Sequence, residues 1–156
     1  MEALRNELII ALHPFVARTL GAALNTCHSQ GLNVFLFEGL RTDDRQLWLY
    51  SQGRSSPGKI VTNAKPGDSW HRYGLAGDLV FRLKNGQWVW DGDYEAVGKI
   101  MTAAGFYWGK HFPHFPELDH FEMTFGLTLA EVKALYLTGG NVEVWKKIDK
   151  SVGKPS

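Results

Sequence analysis

The sequence predicts an α+β protein in which a central antiparallel sheet is flanked by helices. Segments with helical periodicity and segments with strand-like alternation are mixed along the chain, without a regular strand–helix–strand rhythm. The 156 residues are 44% hydrophobic and 21% charged, which is typical of one globular domain and excludes a disordered chain. We therefore expect a single domain over residues 1–156, with its core at about 13–138 and a loose tail at 151–156.

The first half of the chain begins with a predicted helix over residues 13–30. Pro14 stands where a first helical turn tolerates proline, and apolar residues recur on one face from Val16 to Cys27. Cys27 lies on that face, so we interpret it as a small packed hydrophobic side chain. The elements predicted next are a strand at 32–40, a helix at 43–53 with Leu47 and Tyr50 on one side, a loop at 55–68 and a strand at 74–83.

The second half continues the same mixture. The turn Lys84-Asn85-Gly86 predicts a hairpin into a strand at 87–90. Thr128 and Glu131 form a capping-box pattern, which predicts a helix at 129–137. The remaining predicted elements are a helix at 94–104, an irregular segment at 108–118, a strand at 120–125 and, after Gly139-Gly140, a short helix at 141–150.

Charge and composition exclude several classes of function. Lys and Arg number 17 against 16 Asp and Glu, so there is no basic surface for nucleic acid or anionic membrane. The single cysteine excludes an internal disulfide framework and a Cys-rich zinc site. The apolar runs are far too short to span a bilayer, and the N-terminus lacks the pattern of a secretory signal. We expect a monomer made in the cytoplasm without a signal peptide.

Metal-capable side chains are concentrated in two short segments, residues 69–78 and 117–122. Asp78 lies among residues that favour burial, and a buried carboxylate needs a cation or several donors. Together with His71 and His120, it would complete a set sufficient for catalytic zinc, with the fourth position left for water. Taken alone, Asp78 could equally lie on an exposed edge strand or in an ion pair, and each histidine could be structural.

Glu117, three residues before His120, is the predicted general base. A carboxylate near a zinc-bound water can accept its proton and pass that proton to a leaving amine. A solvated loop acid is the alternative role. Glu122 has the same strand phase as His120, so it could orient that imidazole or line the cleft. Asp119 is the rival base, but its side chain should point away from that of His120.

These segments match a longer pattern, Ser-x-His-x-x-Gly-x-Ala-x-Asp followed by an acid three residues before a second histidine. The matching residues are Ser69, His71, Gly74, Ala76 and Asp78, then Glu117 and His120. This pattern resembles the zinc metallopeptidases of bacterial peptidoglycan, which comprise D-alanyl-D-alanine carboxypeptidases and L-alanyl-D-glutamate endopeptidases. Residues 39–42, 45–46, 49–54 and 57–64 are most similar to the endopeptidase branch, found in phage endolysins and some bacterial autolysins.

The resemblance implies a fold of the D-Ala-D-Ala peptidase and hedgehog-like type. It also implies zinc (Zn2+) held by His71, Asp78 and His120, with Glu117 as base.

Three further roles are assigned through the same resemblance. Arg41 would polarise the scissile carbonyl or hold its oxyanion, work that suits a guanidinium. Its alternative is a surface ion pair with Asp43 or Asp44. Ser69 and Gln46 are the predicted substrate contacts, although a plain turn role stays open for Ser69.

The function implied is cleavage of the peptidoglycan stem peptide between L-Ala and D-Glu, with the cell wall as the place of action. The alternatives are a D,D-carboxypeptidase that removes terminal D-Ala and a non-catalytic zinc-binding module, against which the intact Glu117 argues. Arg54, Lys59 and Arg72 are candidates to bind either the D-Glu side chain or a terminal carboxylate.

The chain also departs from the endopeptidase pattern. Trp108-Gly109 is followed by Lys110-His111-Phe112 in place of Gly-x-Trp, and Asp119 stands where proline is frequent. His111 and His114 are extra imidazoles near the predicted cleft, and we do not assign them as ligands.

Overall fold

The computed structural model describes residues 2–153. Its helices are α1 (Pro14–Ser29), α2 (Asp43–Ser51), α3 (Tyr94–Ala103), α4 (Leu129–Gly139) and α5 (Asn141–Val152). Its strands are β1 (Val34–Glu38), β2 (Ala76–Arg82), β3 (Trp88–Val89), β4 (Tyr107–Trp108) and β5 (His120–Glu122). Short 3-10 turns occupy Ile9–Ala11, Trp70–Tyr73 and Gly109–His111. Within the described residues, no helix is long and apolar enough to cross a membrane.

The strands form one antiparallel sheet in the order β1-β2-β5-β4, and β3 also pairs with β2. The pairing of β2 with β5 places Asp78 directly opposite His120. The pairing of β1 with β2 places Glu38 next to Asp78, after a register shift. The sheet therefore brings three ionisable side chains from distant parts of the sequence to one location.

The core lies between the sheet and the helices that pack on it. Val16, Leu20 and Cys27 of α1 are buried, as are Val97 and Met101 of α3. Cys27 is a free buried thiol, as predicted. The α+β class with an antiparallel sheet is thus confirmed.

Local signals fixed several element ends. His13 caps α1, since its Nδ1 accepts the N–H of Phe15 at 3.2 Å. Both halves of the predicted capping box are formed at Thr128 and Glu131. Gly140, with a φ of 73°, separates α4 from α5.

Other expectations need correction. In α2 Leu47 is exposed and Tyr50 is half-buried, whereas Arg45 and Gln46 are buried, because this helix covers an ionic cluster and not an apolar core. Strand β4 falls at the start of the segment predicted to be irregular. Ser151 and Val152 belong to α5 and not to a loose tail, and residues 154–156 of that tail lie outside the described part of the chain.

Candidate active site

A cleft of about 590 Å³ opens over the end of the sheet where β1, β2 and β5 meet. One wall comes from the loop Val61–Ala64, and the opposite wall comes from the loop Phe112–Asp119. His71, Asp78 and His120 lie at its floor. The residues that the sequence singled out as metal-capable therefore line one cavity.

The three side chains present one donor atom each to a common point. Asp78 Oδ1 lies 3.0 Å from His71 Nε2 and 3.1 Å from His120 Nδ1, and the two nitrogens are 3.2 Å apart. Donor atoms bound at about 2.0–2.1 Å in a tetrahedral metal site lie about 3.3 Å from one another. The triangle thus has nearly the size of one face of such a site.

The outer nitrogens of both rings fix which tautomer faces the triangle. His71 Nδ1 donates to the carbonyl of Gly39 at 2.7 Å, and His120 Nε2 donates to Glu122 Oε1 at 3.1 Å. In a neutral imidazole the other nitrogen then carries a lone pair. Two nitrogen lone pairs and a carboxylate oxygen then converge with no N–H group pointing between them. This set of ligand atoms fits a cation.

The pKa values of these three groups follow from the same convergence. Burial alone would raise the pKa of Asp78, but the two imidazoles and Arg41 hold it well below its usual range. Burial and the Arg41 charge lower the pKa of His71. Burial opposes protonation of His120 as well, yet its bonds to Asp78 and Glu122 raise its pKa to about 10. The Asp78 and Glu122 carboxylates thus favour positive charge at this point of the cleft.

A local backbone feature lets His71 reach the triangle. The 3-10 turn Trp70–Tyr73 carries His71 and ends at Gly74, whose φ is 69°. A side chain at Gly74 would be strained in that conformation, and its Cβ would lie 2.9 Å from Cζ2 of Trp145. Glycine is thus required for the chain to turn from His71 into β2.

Glu117 lies beside the triangle, where the sequence placed the general base. Its Oε2 is 3.6 Å from His120 Nδ1, and its side chain is 24% exposed toward the cleft. Burial and the Asp78 charge raise the pKa of Glu117 to about 7, although His120 opposes this. A carboxyl group with such a pKa is suited to accept and return a proton near neutral pH.

The Trp108-Gly109 pair holds Glu117 in place. Gly109 O accepts the backbone N–H of Glu117 at 2.9 Å, and Trp108 Nε1 donates to Leu118 O at 2.8 Å. A Cβ on Gly109 would lie 2.7 Å from Glu117 O. The first glycine after Trp108 is therefore a close-packing position, whereas Lys110 occupies a 3-10 turn that tolerates a side chain.

Asp119, the rival base, also lines the cleft. Burial and the Asp78 charge raise its pKa to about 7. Its backbone carbonyl accepts the N–H of Leu79, continuing the β2–β5 ladder. Proton affinity alone thus does not separate Asp119 from Glu117, whereas the contact with His120 favours Glu117.

Arg41 is buried and contacts the site directly. Its Nη2 donates to Asp78 Oδ2 at 2.8 Å and to Glu38 Oε2 at 2.7 Å. The surface ion pair considered for Arg41 is therefore wrong, and Asp43 pairs with Arg72 instead. Arg41 orients the Asp78 carboxylate, so its removal should affect the geometry of the triangle of His71, Asp78 and His120.

Glu38 is the residue that the sequence interpretation missed. It is 2% exposed and binds two arginines, Arg41 through Oε2 and Arg45 through Oε1, the latter at 3.0 Å. The sequence did contain a sign of its burial, because Glu38 has the same strand phase as the buried Val34 and Leu36. An acid on the buried face of a strand needs a cationic partner.

Gln46 and Ser69 have mainly structural contacts. Gln46 Oε1 accepts from Arg41 Nη1 at 3.1 Å, and Gln46 Nε2 donates to Ala64 O at 2.7 Å. These bonds favour a positioning role for Gln46 over the predicted substrate contact. Ser69 lines the cleft and its Oγ accepts the N–H of His71 at 3.4 Å, so it also begins the 3-10 turn.

The three cations considered as substrate ligands lie outside the cleft lining. Arg54 binds Thr62 O and Asn63 Oδ1 from behind the wall, and Arg72 stacks on Tyr136. Lys59 is exposed. Of the two extra imidazoles, His114 lines the cleft, whereas His111 packs edge-on against Trp108 at 5.8 Å.

Comparison with known proteins agrees with this site. A family model described as D-alanyl-D-alanine carboxypeptidase matches residues 62–123, which include the whole triangle and Glu117. The peptidoglycan L-alanyl-D-glutamate endopeptidase CwlK of Bacillus subtilis (strain 168) is 36% identical over 122 residues, 72% of this chain and 73% of CwlK. The chain belongs to this metallopeptidase family.

Solved structures of metallopeptidases in this family share the fold. The L-Ala D-Glu endopeptidase ChiX of Serratia marcescens is 26% identical and has a TM-score of 0.54, with 80% of this chain and 90% of ChiX covered. VanYB in complex with D-alanine-D-alanine is 14% identical, with a TM-score of 0.58 and coverage of 94% and 90%. The latter likeness concerns the fold alone, and it confirms the predicted D-Ala-D-Ala peptidase type.

Proposed function

We propose that this enzyme is a zinc-dependent peptidoglycan hydrolase that cuts the stem peptide between L-Ala and D-Glu in the cell wall. The observation that carries the proposal is the convergence of ligand atoms from His71, Asp78 and His120, with Glu117 beside them in an open cleft. The choice of this peptide bond rests on the identity to CwlK and the likeness to ChiX, which are both L-Ala-D-Glu endopeptidases. We further propose that the domain works as a monomer.

Two imidazoles and one carboxylate are a common ligand set of catalytic zinc, which would polarise the scissile carbonyl and acidify a bound water. Glu117 accepts the proton of the attacking water and returns it to the departing amine of D-Glu. Gly39 O and Glu122 keep both imidazoles in the ligating tautomer throughout.

Arg41 combines a positioning role with a proposed substrate contact. Three of its five N–H groups are bound to Glu38, Asp78 and Gln46. Two remain: the buried N–H of Nε, which has no partner, and one N–H of Nη1, which can reach an oxygen in the cleft that Arg41 lines. That group is the candidate donor to the carbonyl oxygen as negative charge develops on it.

The cleft favours an endopeptidase over the D,D-carboxypeptidase alternative. A carboxypeptidase needs a free cation close to the scissile bond for the terminal carboxylate. Among residues 2–153, the arginine and lysine side chains that line the cleft are Arg41 and Arg45, and both are bound to Glu38. Their charge is already compensated, so a chain end gains little there.

The bond is tested by mass spectrometry of purified muropeptides after digestion. Cleavage at the proposed bond yields peptides that begin with D-Glu and muramyl fragments that end in L-Ala. Free D-Ala as the sole product would instead support the carboxypeptidase.

The metal is tested by elemental analysis, which should find about one zinc per chain. His71→Ala and His120→Ala should both lose it. Full retention of zinc in both variants would contradict the ligand assignment.

A further inference from the structure

The substrate's own chemistry requires a sugar next to the cleft, if the bond proposed above is the one cut. In peptidoglycan the amino group of L-Ala is joined through a lactyl group to muramic acid. The sugar ring therefore begins within about two residue lengths of the scissile carbonyl, on the order of 7 Å. Some part of the protein surface beside His71, Asp78 and His120 must face that ring.

A second depression of about 260 Å³ adjoins the cleft on one side. It is lined by Trp90, Tyr94, Leu118 and Asp119. Trp90, Leu118 and Asp119 also line the main cleft, so the two spaces are continuous. The space is small, and it suits one ring of a ligand better than a peptide segment.

Trp90 forms the apolar side of this depression. Its indole is 52% exposed, and an edge contact with Phe37 at 4.6 Å holds it against the sheet. Leu118, 46% exposed, extends the apolar surface. The carbon-bound hydrogens on the face of a pyranose ring pack well on such an aromatic surface. The contact buries apolar area of the sugar and fixes the orientation of its ring.

Asp119 supplies the polar side. A carboxylate accepts hydrogen bonds from hydroxyl and acetamido groups, which a sugar presents around its rim. The Tyr94 hydroxyl donates its proton to Leu79 O at 3.0 Å, so Asp119 is the strongest acceptor among the side chains that line the depression.

Charge decides which end of the cleft takes the sugar. Beside Trp90 lies the carboxyl group of Asp119. At the other wall, Arg54 binds Thr62 O at 3.0 Å and Asn63 Oδ1 at 3.1 Å, which places a positive charge behind it. The D-Glu portion carries carboxylates and fits the Arg54 end, whereas an amide-linked muramyl ring is uncharged and fits the acidic, aromatic end.

We propose that the depression formed by Trp90, Leu118 and Asp119 is a binding subsite for an N-acetylated sugar ring of the glycan strand. The L-Ala side of the stem peptide then enters the cleft past Trp90. This subsite gives the enzyme a preference for peptides still attached to glycan.

The kinetic test compares two substrates that share the stem peptide and differ in the presence of the disaccharide. For Trp90→Ala, the ratio of kcat/KM for the glycan-bearing substrate to that for the sugar-free peptide should fall about tenfold, a usual effect of truncating a contact tryptophan. Trp90→Tyr should restore part of the ratio. Trp88→Ala is the matched control, because Trp88 lies on the same hairpin, is 39% exposed and packs on Phe35 outside the cleft.

An unchanged ratio in Trp90→Ala, or an equal fall in Trp88→Ala, would overturn the proposal. A binding measurement tests it independently of the cleaved bond and of the metal. The uncharged trisaccharide of N-acetylglucosamine should quench tryptophan fluorescence with the same affinity in the wild type and in Trp88→Ala, and bind about tenfold more weakly to Trp90→Ala. Equal affinity in all three proteins, or no binding to the wild type, would contradict the subsite.

Discussion

At the scale of single residues, the site depends on a chain of charges that continues behind the proposed metal-binding triangle. Asp78 binds Arg41, Arg41 binds Glu38, and Glu38 binds Arg45. Each of these groups would be costly to bury alone, and each is compensated by the next. The orientation of the Asp78 carboxylate thus also depends on Arg41, and through Arg41 on Glu38 and Arg45.

Glu117 provides the first test at this scale. Glu117→Gln preserves the side-chain shape but cannot accept a proton, so the variant should retain its metal and lose at least about 10²-fold in kcat. Steady-state kinetics and elemental analysis of the same preparation measure both properties. Asp119→Asn is the comparison variant, since both acids have a pKa raised to about 7. A larger loss of kcat in Asp119→Asn than in Glu117→Gln would transfer the role of base to Asp119.

Glu38 provides the second test. Glu38→Gln keeps the volume but leaves two buried guanidinium groups without their shared carboxylate, which should cost about 3 kcal/mol of unfolding free energy. The control is Glu143→Gln, because Glu143 forms an exposed pair with Lys146, and its loss should cost less than about 0.5 kcal/mol. Urea denaturation measures both values. Similar values for the two variants would show that Glu38 does not anchor the arginines energetically.

At the scale of elements, local sequence patterns identified most helices and strands, but they could not predict which strands pair over long distances in the sequence. The ends of α1 and α4 follow from His13 and from the Thr128–Glu131 box, which act within one turn. Strand β4 has two residues and exists because it pairs with β5. No pattern within so short a segment distinguishes it from a loop.

The site shows the same division. The short spacing from His71 to Asp78 and the match to a known pattern marked the triangle, and the structure brings those residues together. The partners Glu38 and Arg45 depend on the fold of β1 against α2, so only the strand phase of Glu38 pointed to them. Gln46 lies in a segment that resembles the endopeptidase branch, but that resemblance could not show which groups its side chain contacts from α2.

Gly74 tests how the turn at Trp70–Tyr73 positions His71. Gly74→Ala should cost roughly 1–2 kcal/mol for its left-handed backbone, and about 1–3 kcal/mol more because the new Cβ meets Trp145. Gly31→Ala is the matched control, since Gly31 has a φ of 80° and nothing within 4 Å of the added carbon. Denaturation should therefore separate the two variants, and a chelator competition should show weaker metal binding in Gly74→Ala alone. Equal destabilisation would remove the steric argument.

At the scale of the whole molecule, both ends of the chain converge on the turn that carries His71. From α5, Trp145 Nε1 donates to Tyr73 O at 2.8 Å, and Asn141 Nδ2 donates to Arg72 O at 2.9 Å. From the start of α1, the N–H of His13 donates to Gly74 O at 2.9 Å. Distant segments thus support His71, a proposed metal ligand, through the backbone of one short turn.

His13 links these two ends, and its protonation should weaken the link. Its Nδ1 accepts from Phe15 N–H, and its Nε2 donates to Asp149 Oδ1 at 3.0 Å, so the neutral ring satisfies both partners. Burial lowers the pKa of His13 below its usual 6.5, although Asp149 raises it in part. The unfolded chain therefore binds a proton at His13 more readily than the folded protein does.

The expected consequence is a loss of stability on the acid side. Below pH 6.5 the unfolded state gains the proton first, so the His13 contribution to unfolding free energy falls until the folded pKa is passed. Because other groups titrate in the same range, the measurement is the difference between wild type and His13→Asn, which retains a capping side chain. That difference should shrink between pH 7 and pH 5 at equal metal content. Asp149→Asn should lower the His13 pKa further, as read from its ring-proton NMR shifts, because the carboxylate that favours the charged ring is gone. A difference that stays constant with pH, or a higher His13 pKa in Asp149→Asn, would contradict this account of how the two ends are joined.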